Sequence, residues 1–300
     1  MQFSCTILEG YIIGEGRNFA SVIKSFVSSF GNLRDFEAEY KTDAGRAIYD
    51  KTLANMKRKF PYYVKEIQGV ADGAKVPFYQ LFLLQLDDIM LTANHNHVPR
   101  NDTGGCSSIG VNNRQYNGLV FSINTLSPHQ LKPGNTPRTF ITRKILAAKS
   151  FPDAEKILRD EGLGIANGFS LNMIWSDAWG SSKMYNVEVA PDLKADRSQL
   201  HRLPVVNVIG KIIDSSEWRL ATIRSHPPPQ SRRDVADILS DTSGEEFRVF
   251  QDQQDAIIKT IAAGIFDVEK RTWSLYINKP NVSEPIAVLP IQFHALENLY

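Results

Sequence analysis

The segment best suited to chemistry is Thr103-Gly104-Gly105-Cys106-Ser107-Ser108. Because two glycines precede the cysteine, little side-chain bulk surrounds the Gly105–Cys106 peptide bond, and glycine tolerates strained backbone dihedrals. Such a bond suits attack of the Cys106 thiol on the carbonyl carbon of Gly105. Small residues ahead of a strand are also ordinary turn chemistry, so an inert reduced thiol is the alternative interpretation.

Cleavage of this bond would make Cys106 a new N-terminus. A free α-amino group titrates near pH ~8, lower than a lysine, so it can act as the general base for the thiol of its own residue. Nucleophile and base then lie on a single residue, which is one recognised way to activate a cysteine. The pattern therefore predicts Cys106 as a catalytic nucleophile.

Other reactive residues give weaker patterns. The second cysteine, Cys5, makes with Cys106 neither a disulfide framework nor a zinc site. His95 and His97 lie in a polar stretch with no cysteine nearby. These residues therefore predict no metal site.

Three polar positions have both a functional and a structural interpretation. Asn124 lies in an otherwise apolar strand pattern, where it is either a substrate-pocket residue near the nucleophile or a satisfied amide at a strand end. Asp87 and Asp88 end an apolar helical pattern, and a solvated helix end is the main expectation. Glu188 is expected to point outward from its strand. The four tryptophans, Trp175, Trp179, Trp218 and Trp273, are expected to pack in the core and at its rim.

These residues need a scaffold, and the first hundred residues predict helices. An apolar helical spacing recurs near the start of the chain, at Phe19, Ile23, Phe26 and Phe30. A second helical pattern covers 43–67, and Pro61 is expected to kink or divide it. Pro77 is expected to open a third helix.

The rest of the chain predicts strands with helices between them. Strands are predicted at 118–124, 169–175, 184–189, 257–266, 273–277 and 286–289, and helices at 136–148, 151–159 and 231–239. Ser231 follows three prolines and is expected to cap its helix. Helices followed by a sheet with intervening helices predict an α+β domain.

Bulk composition narrows the class of protein. The chain has 300 residues, is 42% hydrophobic and carries a formal net charge of +1. Such a balance gives no electrostatic reason to expect nucleic acid or a membrane surface as a partner. The first five residues have neither a basic nor a long apolar region, so a cytoplasmic protein is expected.

A long ordered set of segments carries a family resemblance. The helical part contributes Gly16-Arg17-Asn18-Phe19, 60–74 and 81–88, and the strand-rich part contributes Gly105-Cys106-Ser107-Ser108, 117–126, 136–138, 185–191 and 259–267. In these segments the chain resembles the acyl-coenzyme A:isopenicillin N acyltransferase-like family of N-terminal-nucleophile (Ntn) amidohydrolases, peptidase family C45. It is most similar to the arthropod members that hydrolyse β-alanyl conjugates of dopamine and histamine.

The resemblance implies a fold and a processing step. The fold would be the Ntn-hydrolase four-layer αββα sandwich, formed as one structural domain. Self-cleavage between Gly105 and Cys106 would give a helical α fragment, 1–105, and a strand-rich β fragment, 106–300, of 195 residues. The two fragments would stay together as partners, and a homodimer is left open.

The resemblance also implies an activity. The thiol of Cys106 would attack the carbonyl of a small-molecule β-alanyl amine, β-alanyl-dopamine or carcinine. The amine would leave, and water would release β-alanine from a thioester. An oxyanion hole would stabilise the tetrahedral states, and no cofactor would be needed.

Two departures from the family pattern qualify the activity. Only Asn112-Asn113-Arg114-Gln115-Tyr116 separates Val111 from Asn117, where the family has a strand carrying an acidic residue. Near His201 the family has a His-x-Asn segment whose Asn serves the oxyanion hole, and here no Asn follows at that spacing. We therefore expect central strands to be missing from the sandwich, and impaired activity.

Three functional hypotheses stay open. The first is the thiol amidohydrolase of β-alanyl amines, impaired in this chain. The second is an acyl-CoA-dependent N-acyltransferase of the same family, which passes the acyl group to another amine. The third is a non-catalytic truncated isoform.

Overall fold

The computed structural model describes residues 13–14, 16–87, 89–90, 118–126, 130–176, 182–203, 214–245, 247–254, 259–267 and 270–290. Gly105, Cys106 and Val111 lie outside these residues. The same holds for Cys5, Asp88, His95, His97, Trp179 and the segment 112–117.

The first part of the chain is helical, as predicted. Its helices are α1 (Ala20–Ser29), α2 (Gly31–Tyr40), α3 (Asp43–Lys59), α4 (Pro61–Ala74) and α5 (Phe78–Leu83), followed by a 3₁₀ turn (Leu84–Leu86). Pro61 divides α3 from α4, because proline cannot donate within a helix and is tolerated in its first turn. Thr42 caps α3 by accepting from the Gly45 backbone N–H at 3.0 Å.

Aromatic side chains hold these helices together. Tyr49 of α3 and Phe82 of α5 meet edge to face, with ring centroids 5.3 Å apart. Phe82 also contacts Phe140, at 6.3 Å, and both are buried. Buried aromatic side chains such as these contribute a large part of the free energy of packing between helices.

Two further helices, α6 (Arg138–Ile145) and α7 (Phe151–Arg159), follow as predicted. Ser150 caps α7 by accepting from the Asp153 backbone N–H at 3.2 Å. The helix ends at Asp160, whose backbone adopts the left-handed conformation with φ 48°. Asp160 is buried, and its carboxylate forms an ion pair with Lys59 at the end of α3.

The larger sheet has four strands in the order β1-β2-β3-β4. They are β1 (Gly118–Thr125), β2 (Phe169–Ser176), β3 (Ser182–Pro191) and β4 (Ser198–Leu203). The first three confirm sequence predictions. Alternate residues of β2 and β3 are fully buried, at Phe169, Leu171, Met173, Val187 and Val189. This period of two defines one buried face and one more exposed face of the sheet.

The smaller sheet is antiparallel, in the order β5 (Ala263–Asp267), β6 (Thr272–Tyr276) and β7 (Ala287–Pro290). The predicted strand 257–266 is shorter than expected, since β5 starts only at Ala263. Phe266 pairs with Trp273 across β5 and β6, and their rings stack at 5.1 Å. Two helices, α8 (Asp214–Ser225) and α9 (Arg232–Leu239), lie between β4 and β5 in the chain.

The chain divides into two compact units. Unit 1 comprises Met1–Val98, Leu126–Phe169 and Val189–Leu200, and unit 2 comprises Pro99–Thr125, Ser170–Glu188 and His201–Tyr300. Helices together with antiparallel sheets confirm the predicted α+β class. The four-layer sandwich and its missing strands stay predictions. Among the described helices, none is both long and apolar enough to cross a lipid bilayer.

Candidate active site

Of the predicted site residues, Asn124 is the one within the described structure. It lies near the end of β1 in unit 2 and is half-buried. Gly105 and Cys106 lie outside the described residues, so their assignment as processing site and nucleophile stays a prediction. The surroundings of Asn124 therefore provide the structural description of the candidate site.

Asn124 belongs to a row of three side-chain amides on adjacent strands. The Nδ2 of Asn186 on β3 donates to the Oδ1 of Asn172 on β2 at 2.7 Å. The Nδ2 of Asn172 lies 3.5 Å from the Oδ1 of Asn124 on β1, a longer and weaker contact in the same direction. We call these three residues the asparagine row. All three belong to unit 2.

The asparagine row lies on the more exposed face of the sheet. Leu171 and Met173 flank Asn172 and are buried, as is Val187 beside Asn186. Because side chains alternate along a strand, the amides point to the opposite face from these apolar residues. The row is thus a strip of amides on the more exposed face of the sheet.

One acceptor in the asparagine row has no donor. The Oδ1 of Asn186 is buried and has no hydrogen-bond partner among the described residues. A buried amide oxygen without a donor costs free energy, and its presence calls for a structural or functional explanation. It leaves the row with an open acceptor at its β3 end.

Glu188 lies two residues beyond Asn186 on β3, so the two side chains share a face. Burial raises the pKa of the Glu188 carboxyl above its ordinary value, while the nearby His201 on β4 acts in the opposite direction. The sequence predicts an outward-facing Glu188, and its side chain indeed does not lie on the buried face of the sheet. The carboxylate is nevertheless partly desolvated.

The remaining polar candidates lie elsewhere. Asp87 follows the 3₁₀ turn, with its side chain 46% exposed and 3.3 Å from the Arg138 guanidinium. The exposure of Asp87 agrees with the expected solvated helix end, and Asp88 lies outside the described residues. Of the tryptophans, Trp273 stacks on Phe266, whereas Trp218 is 48% exposed.

The described residues contain no group of three or more His, Cys, Asp or Glu side chains arranged to hold a metal ion. The polar side chains described around Asn124 are the other two amides of the asparagine row, the Glu188 carboxyl and the His201 imidazole. Asn172 and Asn186 were not singled out from the sequence. The available signal was an asparagine in the middle of each apolar strand pattern, 169–175 and 184–189.

Comparison with known proteins gives two matches. Residues 105–282 match a family model described as acyl-coenzyme A:6-aminopenicillanic acid acyl-transferase. A Drosophila melanogaster protein named β-alanyl-dopamine/carcinine hydrolase is 34% identical over 360 aligned residues, which cover 93% of this chain and 92% of that protein. The family match begins at Gly105, directly before Cys106.

The second comparison also measures a length difference. Since 93% of 300 residues is about 279, about 81 of the 360 aligned positions have no residue in this chain. The fly protein therefore has segments that this chain lacks. That the missing segments are those after Val111 and near His201 stays a prediction.

Proposed function

Because the chain belongs to the acyl-coenzyme A:6-aminopenicillanic acid acyl-transferase family, we propose that it is a thiol amidohydrolase of β-alanyl amines. Its substrates would be β-alanyl-dopamine and carcinine. The observation that carries this proposal is the 34% identity to the fly β-alanyl-dopamine/carcinine hydrolase across 93% of the chain. The family match that starts at Gly105 supports Cys106 as the reacting residue.

The first step is self-cleavage. The Cys106 thiol attacks the Gly105 carbonyl carbon, the C–N bond breaks, and a thioester joins Gly105 to the Cys106 Sγ. Breakage of the C–N bond frees the α-amino group of Cys106. Water then hydrolyses the thioester, which frees the thiol and leaves a carboxylate on Gly105. The products are the fragments 1–105 and 106–300, and they assemble as the Ntn-type αββα sandwich.

The mature site then repeats the same chemistry on substrate. The α-amino group of Cys106 takes the thiol proton, and Sγ bonds to the β-alanyl carbonyl carbon. The proton passes to the departing amine as the amide C–N bond breaks. Water attacks the resulting thioester, so β-alanine leaves and the thiol is restored.

The chain works more slowly than a complete relative. The fly protein has about 81 aligned residues without a counterpart here. We expect the absent segments to include the family's acidic strand and the Asn of its oxyanion hole. Loss of one oxyanion donor costs roughly a hundred- to a thousand-fold in rate. We therefore expect measurable but impaired turnover.

An N-acyltransferase is the second candidate, and the description of the matching family model favours it. The two activities share the thioester and differ in the group that attacks it. Purified protein should be incubated with carcinine, with and without a primary amine acceptor, and the products separated by liquid chromatography. Release of β-alanine alone supports the hydrolase, and transfer of the β-alanyl group to the acceptor supports the acyltransferase.

The non-catalytic alternative is tested on the same preparation. Intact mass spectrometry should find a 195-residue fragment that begins Cys-Ser-Ser-Ile. A single uncleaved chain of 300 residues that forms no product from either substrate would contradict the proposed function and favour the non-catalytic isoform.

A further inference from the structure

Strand β3 presents a buried amide oxygen without a donor among the described residues and, two positions further on, a partly buried carboxyl. The Oδ1 of Asn186 is buried without a hydrogen-bond partner. Glu188 lies two positions further along the strand. Burial raises the pKa of its carboxyl, while the nearby His201 acts in the opposite direction. Both groups lie within unit 2.

The spacing of the two acceptors suits one small group. Residues two apart on a strand share a face and are separated by roughly 6.6 Å along it. An atom placed between their side chains is therefore within reach of both. Such an atom would end the desolvation penalty at both acceptors simultaneously.

The chemistry of the two acceptors restricts the ligand. An amide oxygen and a carboxylate both require donors, and the carboxylate also favours a positive charge. An ammonium group supplies three N–H donors and one positive charge. A neutral acyl chain would supply neither an N–H donor nor a charge to Glu188, and a hard metal ion needs more oxygen ligands than these two side chains provide.

We propose that Asn186 and Glu188 bind the terminal ammonium group of the substrate's acyl part, and so select β-alanyl conjugates over simple fatty acyl amides. This inference rests on the proposed function, because the acyl part of a β-alanyl amine ends in an ammonium group. It assigns acyl specificity to residues outside the segment of the nucleophile.

The asparagine row orients this subsite. Asn172 accepts from the Asn186 Nδ2 at 2.7 Å, which fixes the plane of the Asn186 amide. With its Nδ2 committed to Asn172, the Asn186 Oδ1 is directed away from that contact. Asn172 is thus a positioning residue, and Asn186 and Glu188 are the groups that touch the substrate.

The test compares β-alanyl-dopamine with propionyl-dopamine, which lacks only the amino group. Wild type should prefer the β-alanyl substrate in kcat/KM by about 10- to 100-fold, the effect of one hydrogen-bonded charge. Glu188→Gln keeps the shape of the side chain and removes its charge. It should lower kcat/KM for the β-alanyl substrate by about tenfold or more, and change that for the propionyl substrate by less than about twofold.

Glu284→Gln is the matched control, because Glu284 is an exposed glutamate of the same unit. It should leave the substrate preference unchanged. Thermal unfolding of each variant checks folding separately from specificity.

Failure of the inference is distinguishable from failure of the proposed function. Equal turnover of the two substrates by wild type, or an equal loss on both in Glu188→Gln, overturns the subsite while the hydrolase stands. If wild type turns over neither substrate, fluorescence titration with the same two amides decides. Preferred binding of the β-alanyl amide that Glu188→Gln abolishes supports the subsite. Equal binding, or none, overturns it.

Discussion

Asn186 donates its Nδ2–H to Asn172 Oδ1 at 2.7 Å, while its own Oδ1 stays buried without a donor. The amide is therefore held firmly on one side and left open on the other. Unsatisfied acceptors destabilise a folded chain unless a ligand or water supplies the donor. A site that is open in this way is matched to a group rich in N–H donors.

Removal of Asn172 should weaken the fold as well as the site. Asn172→Ala deprives the Asn186 Nδ2 of its acceptor, so we expect the free energy of unfolding to fall by roughly 1–3 kcal/mol. Urea denaturation followed by circular dichroism measures this change. Asn32→Ala, at an exposed position of α2, is the control and should stay within about 0.5 kcal/mol of wild type. Equal midpoints for both variants would show that the asparagine row contributes nothing to stability.

Glu188→Gln should stabilise the protein at neutral pH. Burial raises the pKa of Glu188 in the folded chain above its ordinary value of 4.5. The folded state therefore holds its proton to higher pH than the unfolded state, and stability falls as pH rises through that window. Glutamine removes this loss, so the melting temperature should exceed that of wild type at pH 7.

The stability advantage of Glu188→Gln over wild type should depend on pH. Below the unfolded pKa, Glu188 is protonated in both states, so the advantage of the glutamine variant should vanish as pH falls below about 4.5. Differential scanning calorimetry across this range provides the check. A melting temperature that falls in Glu188→Gln at pH 7 would mean that the carboxylate is stabilised by a partner.

The ion pair between Lys59 and Asp160 should be essential for the stability of unit 1. Asp160 has a side chain only 2% exposed, and its Oδ2 also accepts from Thr136 Oγ1 at 2.6 Å. Asp160→Asn keeps the shape and the tolerance of a left-handed backbone but leaves Lys59 without its counter-charge. We expect a loss of roughly 3–5 kcal/mol, the cost of breaking a buried pair.

Asp50→Asn is the matched control for that pair. Asp50 forms an exposed ion pair with Arg46, one helical turn away, and both side chains are 55% exposed. Its loss should cost roughly 0–1 kcal/mol in guanidinium denaturation. Comparable losses for the two variants would contradict the structural importance assigned to the buried pair.

The absent segments should appear as a rate deficit. Assayed beside the fly hydrolase on β-alanyl-dopamine, this chain should show a kcat lower by roughly a hundred- to a thousand-fold. Equal kcat values would mean that other residues supply the missing oxyanion donor.

Local signals in the sequence were enough to predict many elements. Pro61 separates two helices because proline has no backbone N–H to donate within a helix and is tolerated only in the first turn. Ser231 forms a full capping box with Asp234, as a serine after three prolines indicates. The helix α2 was missed, although Leu33 and Phe36 repeat at helical spacing and are buried.

The site depended on non-local information. Asn124 was proposed as a pocket residue, but its partners Asn172 and Asn186 lie 48 and 62 residues further along the chain. Their juxtaposition follows from the strand order β1-β2-β3, which the residue pattern of each strand alone does not contain. Strand order is set by tertiary packing, so the asparagine row emerged only from the structure.

The nucleophile is the central claim, and dopamine release tests it most directly. Wild type, Cys106→Ala and Cys5→Ala should be incubated with β-alanyl-dopamine, and free dopamine measured over time by electrochemical detection. We predict slow release by wild type and Cys5→Ala, and none above background by Cys106→Ala. Release by Cys106→Ala at the wild-type rate would contradict the assignment of Cys106 as the nucleophile.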